Sequence, residues 1–354
     1  MKIACITDQH FGAKNGNIGL HDYFKKFYDD VFFPYIDLHN ITDIIDLGDT
    51  FDKRKFIDYD SLDRCRSYWF DEIEKRGITL HIIVGNHCTP FKNLTSINSP
   101  DLLLGDYKSV KVYPTPTEVS FDGHTVLFVP WICQETASAT TTAIKSSLSS
   151  TVFGHLELAG FEMYKGQPHI GGMTSDVFSK FNLVCSGHFH HRSSNNKIHY
   201  LGCPYEMTWA DYKDPKGFHV YDTENISLTF IENPYRMFHK IYYDDSEWTS
   251  YPEHDFSQYS GTYVKLIVVN KLNAHWFDKF ETSIKKVNPL DLKVENVEFS
   301  LDLEVVDGEI LDATPDDTIE ILHRSIDSSN IDGEKRNNLH SLFTDMYLEA
   351  SYNG

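Results

Sequence analysis

The sequence predicts a layered α/β fold of mixed sheets flanked by helices, joined to a small α/β cap and a C-terminal helical tail. Three observations carry this. Over residues 1–235, apolar runs of strand length alternate with amphipathic stretches of helical period, the pattern of a layered α/β domain. From about Arg236 a second, shorter round of strand-like and helix-like segments begins. Residues 295–320 then hold ten Asp and Glu and no Lys or Arg, the composition of a solvated connection.

In chain order, KIACIT reads as a strand, HDYFKKFYDDVFFPYIDLH as a helix and DIIDLG as a strand. SLDRCRSYWFDEIEKRG reads as a helix closed by Gly77, the residue type that ends helices by turning left-handed, and LHIIVG as a strand again. KVYPTPTEVSFDGHTVLFVPW reads as a hairpin turning at Asp122-Gly123. TVFGH, NLVCSGH, KIHYLG and GFHVYDT follow as short strands, which makes the later sheet mixed or antiparallel. In the cap, MFHKIYY, YVKLIVV and LKVENVEFSLDL are strand-like and AHWFDKFETSIKKV is helix-like.

The tail opens on Thr314-Pro315-Asp316-Asp317, which combines a capping side chain, a proline at the first helical position and two acids in the first turn. Ile319, Leu322 and Ile326 share one helical face, and beyond Asp332-Gly333 so do Leu339, Leu342, Phe343, Met346 and Ala350. The expected division is a main domain over 1–235, a cap over 236–301, an acidic linker over 302–315 and a helical tail over 316–354. No internal repeat is present.

At 354 residues and 41% hydrophobic, the chain can build one large core and one or two smaller ones. Its six cysteines, at 5, 65, 88, 133, 185 and 203, form no C-x-x-C pair, which argues against a disulfide framework or a zinc ribbon and fits a reducing cytoplasm. MKIACITDQHFG reaches polar residues too soon for a signal peptide, and no apolar run approaches the roughly 20 residues that span a bilayer. A soluble cytoplasmic protein is expected.

The net charge of -20 excludes an indiscriminate grip on nucleic acid. It leaves phosphate substrates open, because bound cations can reverse the local field. The tail third is the more acidic part, with 11 basic and 23 acidic side chains over 236–354 against 21 and 29 over 1–235.

Chemistry concentrates where strands end. Asp8-Gln9-His10 follows KIACIT, Asp49 and Asp52 follow DIIDLG, and Asn86-His87 follows LHIIVG. His155 closes TVFGH, and His188 and His190 follow NLVCSG. Ligands gather at strand ends in sheets of this kind, and glycines beside several of these residues permit sharp turns. Each motif alone is ambiguous. In IIVGNHCTP, His87 could be a core histidine, a ligand or a proton donor, and Cys88 a soft ligand or a small buried side chain. Five such strand ends in order point to a metal site.

The ordered set DQH, GDTFD, GNHC, GHLE and GHFH resembles the calcineurin-like metallophosphoesterase superfamily. GDTFDKRK, TLHIIVGNH, VPWICQE, GHLELAGFEMYKG, SGHFH and DPKGFHVYDTE are more closely similar to the nuclease subunit of the SbcC and SbcD type of double-strand-break repair complex, phage recombination nucleases included. This likeness covers about residues 1–235.

The resemblance implies a metallophosphoesterase sandwich and a two-metal phosphodiesterase acting on DNA as an exonuclease and endonuclease. Asp8, His10 and His190 would hold one ion, Asn86, His155 and His188 the other, and Asp49 would bridge them. Oxygen and imidazole ligands without thiolate suit Mn²⁺ and also admit Fe or Zn. His87 resembles the family's general acid or phosphate-orienting histidine, and Asp52 would steady the loop or an imidazole from behind. Cys88 stands where the family has an acidic residue, so the tuning of His87 is in question.

Lys53, Arg54, Lys55 and Lys92 could meet DNA phosphates or could be solvated surface. His191 reads as structural or as a substrate contact. The resemblance also implies a DNA-contacting cap, a homodimer through segments near Leu62–Ile73 and Ser99–Tyr107, and an SMC-like, SbcC-type ATPase partner held by the C-terminal helices. For a phage protein the compartment would be the host cytoplasm. A phosphatase of the same superfamily, or a scaffold with a decayed site, are the alternatives.

Overall fold

The structure is a computed structural model that describes residues 1–164 and 167–296. In a first sheet, β1 (Lys2–Ile6), β2 (Asp43–Asp46), β3 (Thr79–Ile83) and β4 (Val110–Tyr113) run parallel. The chain then crosses to a second sheet through β5 (Thr117–Phe121), β6 (His124–Val129) and β7 (Thr151–His155). A small pair, β8 (Glu162–Tyr164) and β9 (Gln167–Pro168), precedes β10 (Leu183–Gly187), β11 (Ser193–Asn195) and β12 (Ile198–Tyr200). The second sheet has the order β11-β12-β10-β7-β6-β5, parallel at its centre and antiparallel at both edges. Finally β13 (Gly217–Asp222) and β14 (Ser227–Glu232) return to the first sheet beside β1, both antiparallel to their neighbours.

The alternation of apolar residues sets the layers. Ile3, Cys5, Ile45, Leu47 and Ile83 face Phe121, Val126, Phe128, Phe153 and Cys185 between the two sheets. The intervening residues Ala4, Ile6, Ile44, Leu80 and Ile82 face the helical layer on the other side. Leu127, Val129, Val152 and Val184 form the outer face of the second sheet, against Ile144 of the helix Ala137–Ser146. The result is helix, sheet, sheet, helix, as a strand buried on both faces requires.

Two long helices cover the first sheet, and each contains one π turn, Tyr28–Phe32 and Arg66–Phe70. The two turns lie against each other, with the Trp69 ring 4.5 Å from Tyr28 and 5.1 Å from Phe32. Asn17 and Asp58 cap the helices at Leu20 N and Ser61 N, and Gly77 ends the second in left-handed geometry at φ 65°.

The expected hairpin over 111–131 is in fact divided. Its first strand, VKVY, is β4 of the first sheet, and only Thr117–Val129 turns at Asp122-Gly123. Prolines 114 and 116 mark the crossing. The edge strand β14 was not expected, because its exposed and half-buried residues carry little apolar signal.

Residues 238–296 form a three-stranded parallel sheet, β15 (Phe238–Asp244), β16 (Tyr263–Asn270) and β17 (Asp291–Asn296). The helix Ala274–Lys286 covers one face through Phe277, Phe280 and Ile284. Its junction with the large sheets is polar and specific. Buried Glu206 accepts the backbone N–H groups of Met237 and Phe238 at 2.7 and 3.0 Å.

The expected linker over 302–315 and tail over 316–354 lie outside the described residues. All six cysteines are buried and none is disulfide-bonded. No helix among the described residues is long and apolar enough to cross a membrane.

Candidate dimetal centre

The C-terminal ends of β1, β2 and β3 in one sheet meet those of β7 and β10 in the other. Asp8, His10, Asp49, Asn86, His155, His188 and His190, which lie on separate motifs in sequence, are thereby brought together. The backbone bends hard to do it. Asp8, His10, Asp49 and His188 all have positive φ, at 53°, 46°, 53° and 85°. Non-glycine residues rarely adopt this conformation, and such strain clusters at functional sites.

The motif glycines permit the close approach. A Cβ on Gly85 would lie 2.2 Å from Asp49 Oδ1, and one on Gly187 would lie 2.0 Å from Thr7 Oγ1 and 2.8 Å from Asp8 Oδ2. Gly48 has φ +110° and a Cβ there would meet His155 Nδ1 at 2.6 Å.

Two triads result. One ligand atom each from Asp8, His10 and His190, and likewise from Asp49, His155 and His188, lie within 4.8 Å of one another. Asn86 completes the second group. Its Oδ1 is 2.9 Å from His155 Nε2 and 3.1 Å from His188 Nδ1. The other nitrogen of His155 donates to the Leu47 carbonyl at 2.9 Å, which fixes the tautomer and aims the Nε2 lone pair inward. His188 is held by its own N–H, 3.0 Å from Asp8 Oδ2, so one group positions the other's carboxylate.

Electrostatics show what this donor set needs. Asp8, Asp49, His10 and His155 are buried. Burial opposes charge on His155, yet Asp49 and Asp8 raise its imidazole to about 9. Burial opposes it on His10 too, and Asp52, Asp49 and Asp8 raise that imidazole to about 9. His190 goes the other way, to about 4, through burial and the neighbouring His10, whose Nε2 lies 3.0 Å from its own. His188 is held well below the usual imidazole range by burial and by His155. Asp49, despite burial, is held well below the usual carboxylate range by His155, His87 and His10. The carboxylates thus draw positive charge to both triads, and protons supply it where a cation could.

The Asn86 amide points the same way. With Oδ1 inward it faces only acceptors, and reversed it would donate to His155, His188 and Asp49 and accept from Arg54 Nη2 at 3.1 Å. Oδ1 inward is the orientation that would offer an oxygen to a cation, while the reversed amide is satisfied without one. The residues fit two divalent ions, and two such ions fit the charge. Asp49 touches residues of both groups, its Oδ2 3.1 Å from His155 Nε2 and its carbonyl accepting the His10 backbone N–H at 3.0 Å.

His87 lies beside this cluster, outside both triads, with its ring 5.0 Å from that of His10. Its N–H donates to Asp49 Oδ1 at 2.8 Å, and its Nδ1 to the Asp52 carbonyl at 2.6 Å. The Asp52 carboxylate lies 3.3 Å from His10 Nδ1. The Cys88 thiol is fully buried and in neither triad, and burial and the charge of Asp49 push it up to about 12. Of the four basic candidates, Arg54 reaches the Asn86 amide, Lys53 bonds Asn15 and Lys55 lies over the Phe91 ring at 5.9 Å. The Lys92 carbonyl accepts the Trp131 indole N–H at 3.2 Å, and the Trp131 ring stands 5.3 Å from His188.

Sequence reasoning missed the support behind the site. Lys216 is 1% exposed and bonds the His190 carbonyl, Asp211 and Asp214, each at 2.8 Å. Asp214 also holds His191 Nδ1 at 3.0 Å, so His191 turns away from the triads. Asp46, buried under the Asp49 turn, accepts from Gly48 N, Thr50 Oγ1 and Gln9 Nε2 at 3.0, 2.7 and 2.9 Å. DPKG and DIIDLG carried these residues in plain view, but only burial distinguishes them from surface charges.

No protein-family profile matches the sequence. Among curated proteins it is similar to exonuclease subunit 1 of Enterobacteria phage T4, 33% identical over 358 residues that cover 99% of this chain and 100% of that protein. Among solved structures it is similar to an archaeal phosphodiesterase, with a TM-score of 0.35, 15% identity and coverage of 66% of this chain and 100% of that one. A dimetal phosphatase from Danio rerio gives a TM-score of 0.34, 13% identity and coverage of 62% and 91%.

Proposed function

Because the chain belongs to the calcineurin-like metallophosphoesterase family of the phage exonuclease subunit, it is a metal-dependent phosphodiesterase, and we propose that it is the Mn²⁺-dependent DNA nuclease of a recombination and repair complex. The observation that supports the reading is the pair of triads, each with two buried members and a half-buried histidine, beside which Asn86 and Asp49 stand in the roles proposed for them. Asp8, His10 and His190 would hold one ion and Asn86, His155 and His188 the other, with Asp49 placed between them. Two divalent ions bound there supply Lewis acidity to the phosphate and a nucleophilic water at neutral pH.

The chain's own residues do the rest. Thr7 Oγ1 donates to Asp8 at 2.6 Å and Leu47 fixes His155, so the ligands are oriented before an ion arrives. His87 handles the proton. With Nδ1–H committed to the Asp52 carbonyl, the imidazolium gives its Nε2 proton to the leaving oxygen and becomes the neutral imidazole, at a position held by the bond from its backbone N–H to Asp49. Asp52 steadies His10, and the neutral Cys88 fills space where an acid would tune His87. Lys53, Arg54, Lys55 and Lys92 meet the backbone of the DNA.

In this reading residues 1–235 are the nuclease domain, 236–301 a DNA-contacting cap, 302–315 a linker and 316–354 a tail that binds an SMC-like ATPase. The working unit is a homodimer in the cytoplasm of the host cell. The support is the similarity to a named subunit over nearly the whole chain. The test is digestion of end-labelled duplex, single-stranded DNA and a phosphomonoester, each with Mn²⁺ or Mg²⁺. Cleavage of DNA with Mn²⁺ supports the reading, turnover of the monoester alone makes it a phosphatase, and no turnover at all makes it a scaffold.

A further inference from the structure

Two exposed aromatic rings sit on the loops that carry the candidate ligands, and neither belongs to the core. Phe56 is 66% exposed and follows Asp52 by four residues, and Phe91 is 55% exposed and follows His87 by four. Each ring has a lysine beside it, Lys53 Nζ at 5.0 Å from the Phe56 centroid and Lys55 Nζ at 5.9 Å from that of Phe91. Lys55 belongs to the first loop and Phe91 to the second, so the loop tips meet. The first loop also touches the site itself, through the Asp52 carbonyl against His87 Nδ1 at 2.6 Å and the Asp52 carboxylate 3.3 Å from His10 Nδ1. In a chain of net charge -20, Lys53-Arg54-Lys55 is a rare run of three cations, and it stands next to exposed rings.

We infer that Phe56 and Phe91 form a stacking platform for unpaired nucleobases beside the dimetal centre, with Lys53 and Lys55 taking the adjoining phosphates. This rests on the nuclease reading and specifies its substrate as a strand whose bases are free. Cations recognise the backbone wherever it lies, but a phosphodiester must also be placed in register with the ions. A base held face-on by a ring does this without regard to sequence, because every base has a π face. Apolar contact alone would not require aromatic residues at both positions, which gives the test its form.

The full chain with Mn²⁺ is assayed on a short single-stranded oligonucleotide and on the same strand with abasic residues at its two terminal positions. Wild-type protein should lose roughly tenfold or more in kcat/KM on the abasic strand. The Phe56→Leu, Phe91→Leu double variant should lose a similar factor on normal DNA, chiefly in KM, and be indifferent to the missing bases. Phe56→Trp with Phe91→Trp should restore the wild-type preference. If wild-type protein cleaves normal and abasic strands alike, the platform is overturned while the nuclease reading stands. If it cleaves neither strand, both fall together. If the leucine variant still discriminates, or if it changes sedimentation instead of base dependence, the rings serve another contact and the inference is wrong.

Discussion

Asp49 is the side chain whose loss should reach furthest, because one carboxylate influences both imidazole groups and also accepts the His87 N–H. Asp49→Ala should abolish activity and weaken both metal sites, seen as a fall from two bound ions in calorimetry. His87→Ala should lose about 10²–10⁴-fold in turnover, the range of one acid–base group, while keeping both ions. Metal lost from the His87 variant to the same degree would make it a ligand. Protons offer a third check. His10 and His155 are held at about 9 in the folded, ion-free protein, above the roughly 6.5 of an unfolded imidazole. The stability they contribute is complete below pH ~6.5 and lost as the pH rises to about 9. Thermal unfolding in chelator should therefore weaken over that window, and added Mn²⁺ should raise Tm more at pH 9 than at pH 6.5. An equal rise at both would show that the two imidazoles are not where the ion binds.

At the scale of elements, strand ends deliver the candidate ligands but buried charges behind them hold the loops. Lys216 joins the loop after β10 to the turn before β13, since its ammonium bonds the His190 carbonyl as well as Asp211 and Asp214. Replacing it with methionine leaves buried Asp211 without its cation and Asp214 with His191 alone, and breaking a buried pair of this kind costs about 3–5 kcal/mol. Lys216→Met should show that loss in denaturant unfolding, together with weaker binding at the ion held by His190. A variant of unchanged stability would mean that Asp211 and Asp214 find other partners. The left-handed residues teach a related lesson. Asp8, His10, Asp49 and His188 adopt conformations that local preference disfavours, so packing and mutual hydrogen bonds must hold them.

For the whole molecule, the proposed division of labour makes the tail separable from the chemistry. The described residues contain both triads and the core layers around them. Truncation after Asp312 should leave Mn²⁺ nuclease activity on short DNA within about twofold of the full chain, a change worth under ~1 kcal/mol. It should also abolish co-purification with the SMC-like ATPase and any ATP-stimulated degradation. Retention of ATPase binding by the truncated chain would move the docking role to the three-stranded cap.

Local pattern determined much about this protein by itself. Alternation between periods of 2 and 3.6 residues marked most of the strands and both long helices, because burial on one or two faces writes itself into neighbouring residues. The order DQH, GDTFD, GNH, GH and GHFH pointed to metal chemistry because each motif occupies a few consecutive residues at a strand end. Tertiary structure decided what no window of sequence contains. VKVY could not be assigned to the first sheet, since its partner β3 lies 27 residues away or more. Nothing local marks Lys216 and Asp46 as buried charges, and His87 and His155 are told apart by their surroundings, His155 buried in the triad with Asp49 and His188 and His87 outside both triads with Nδ1 on the Asp52 carbonyl. Short-range periodicity records which side of an element is dry, whereas the charge state and aim of a side chain depend on groups that folding alone brings within hydrogen-bond reach.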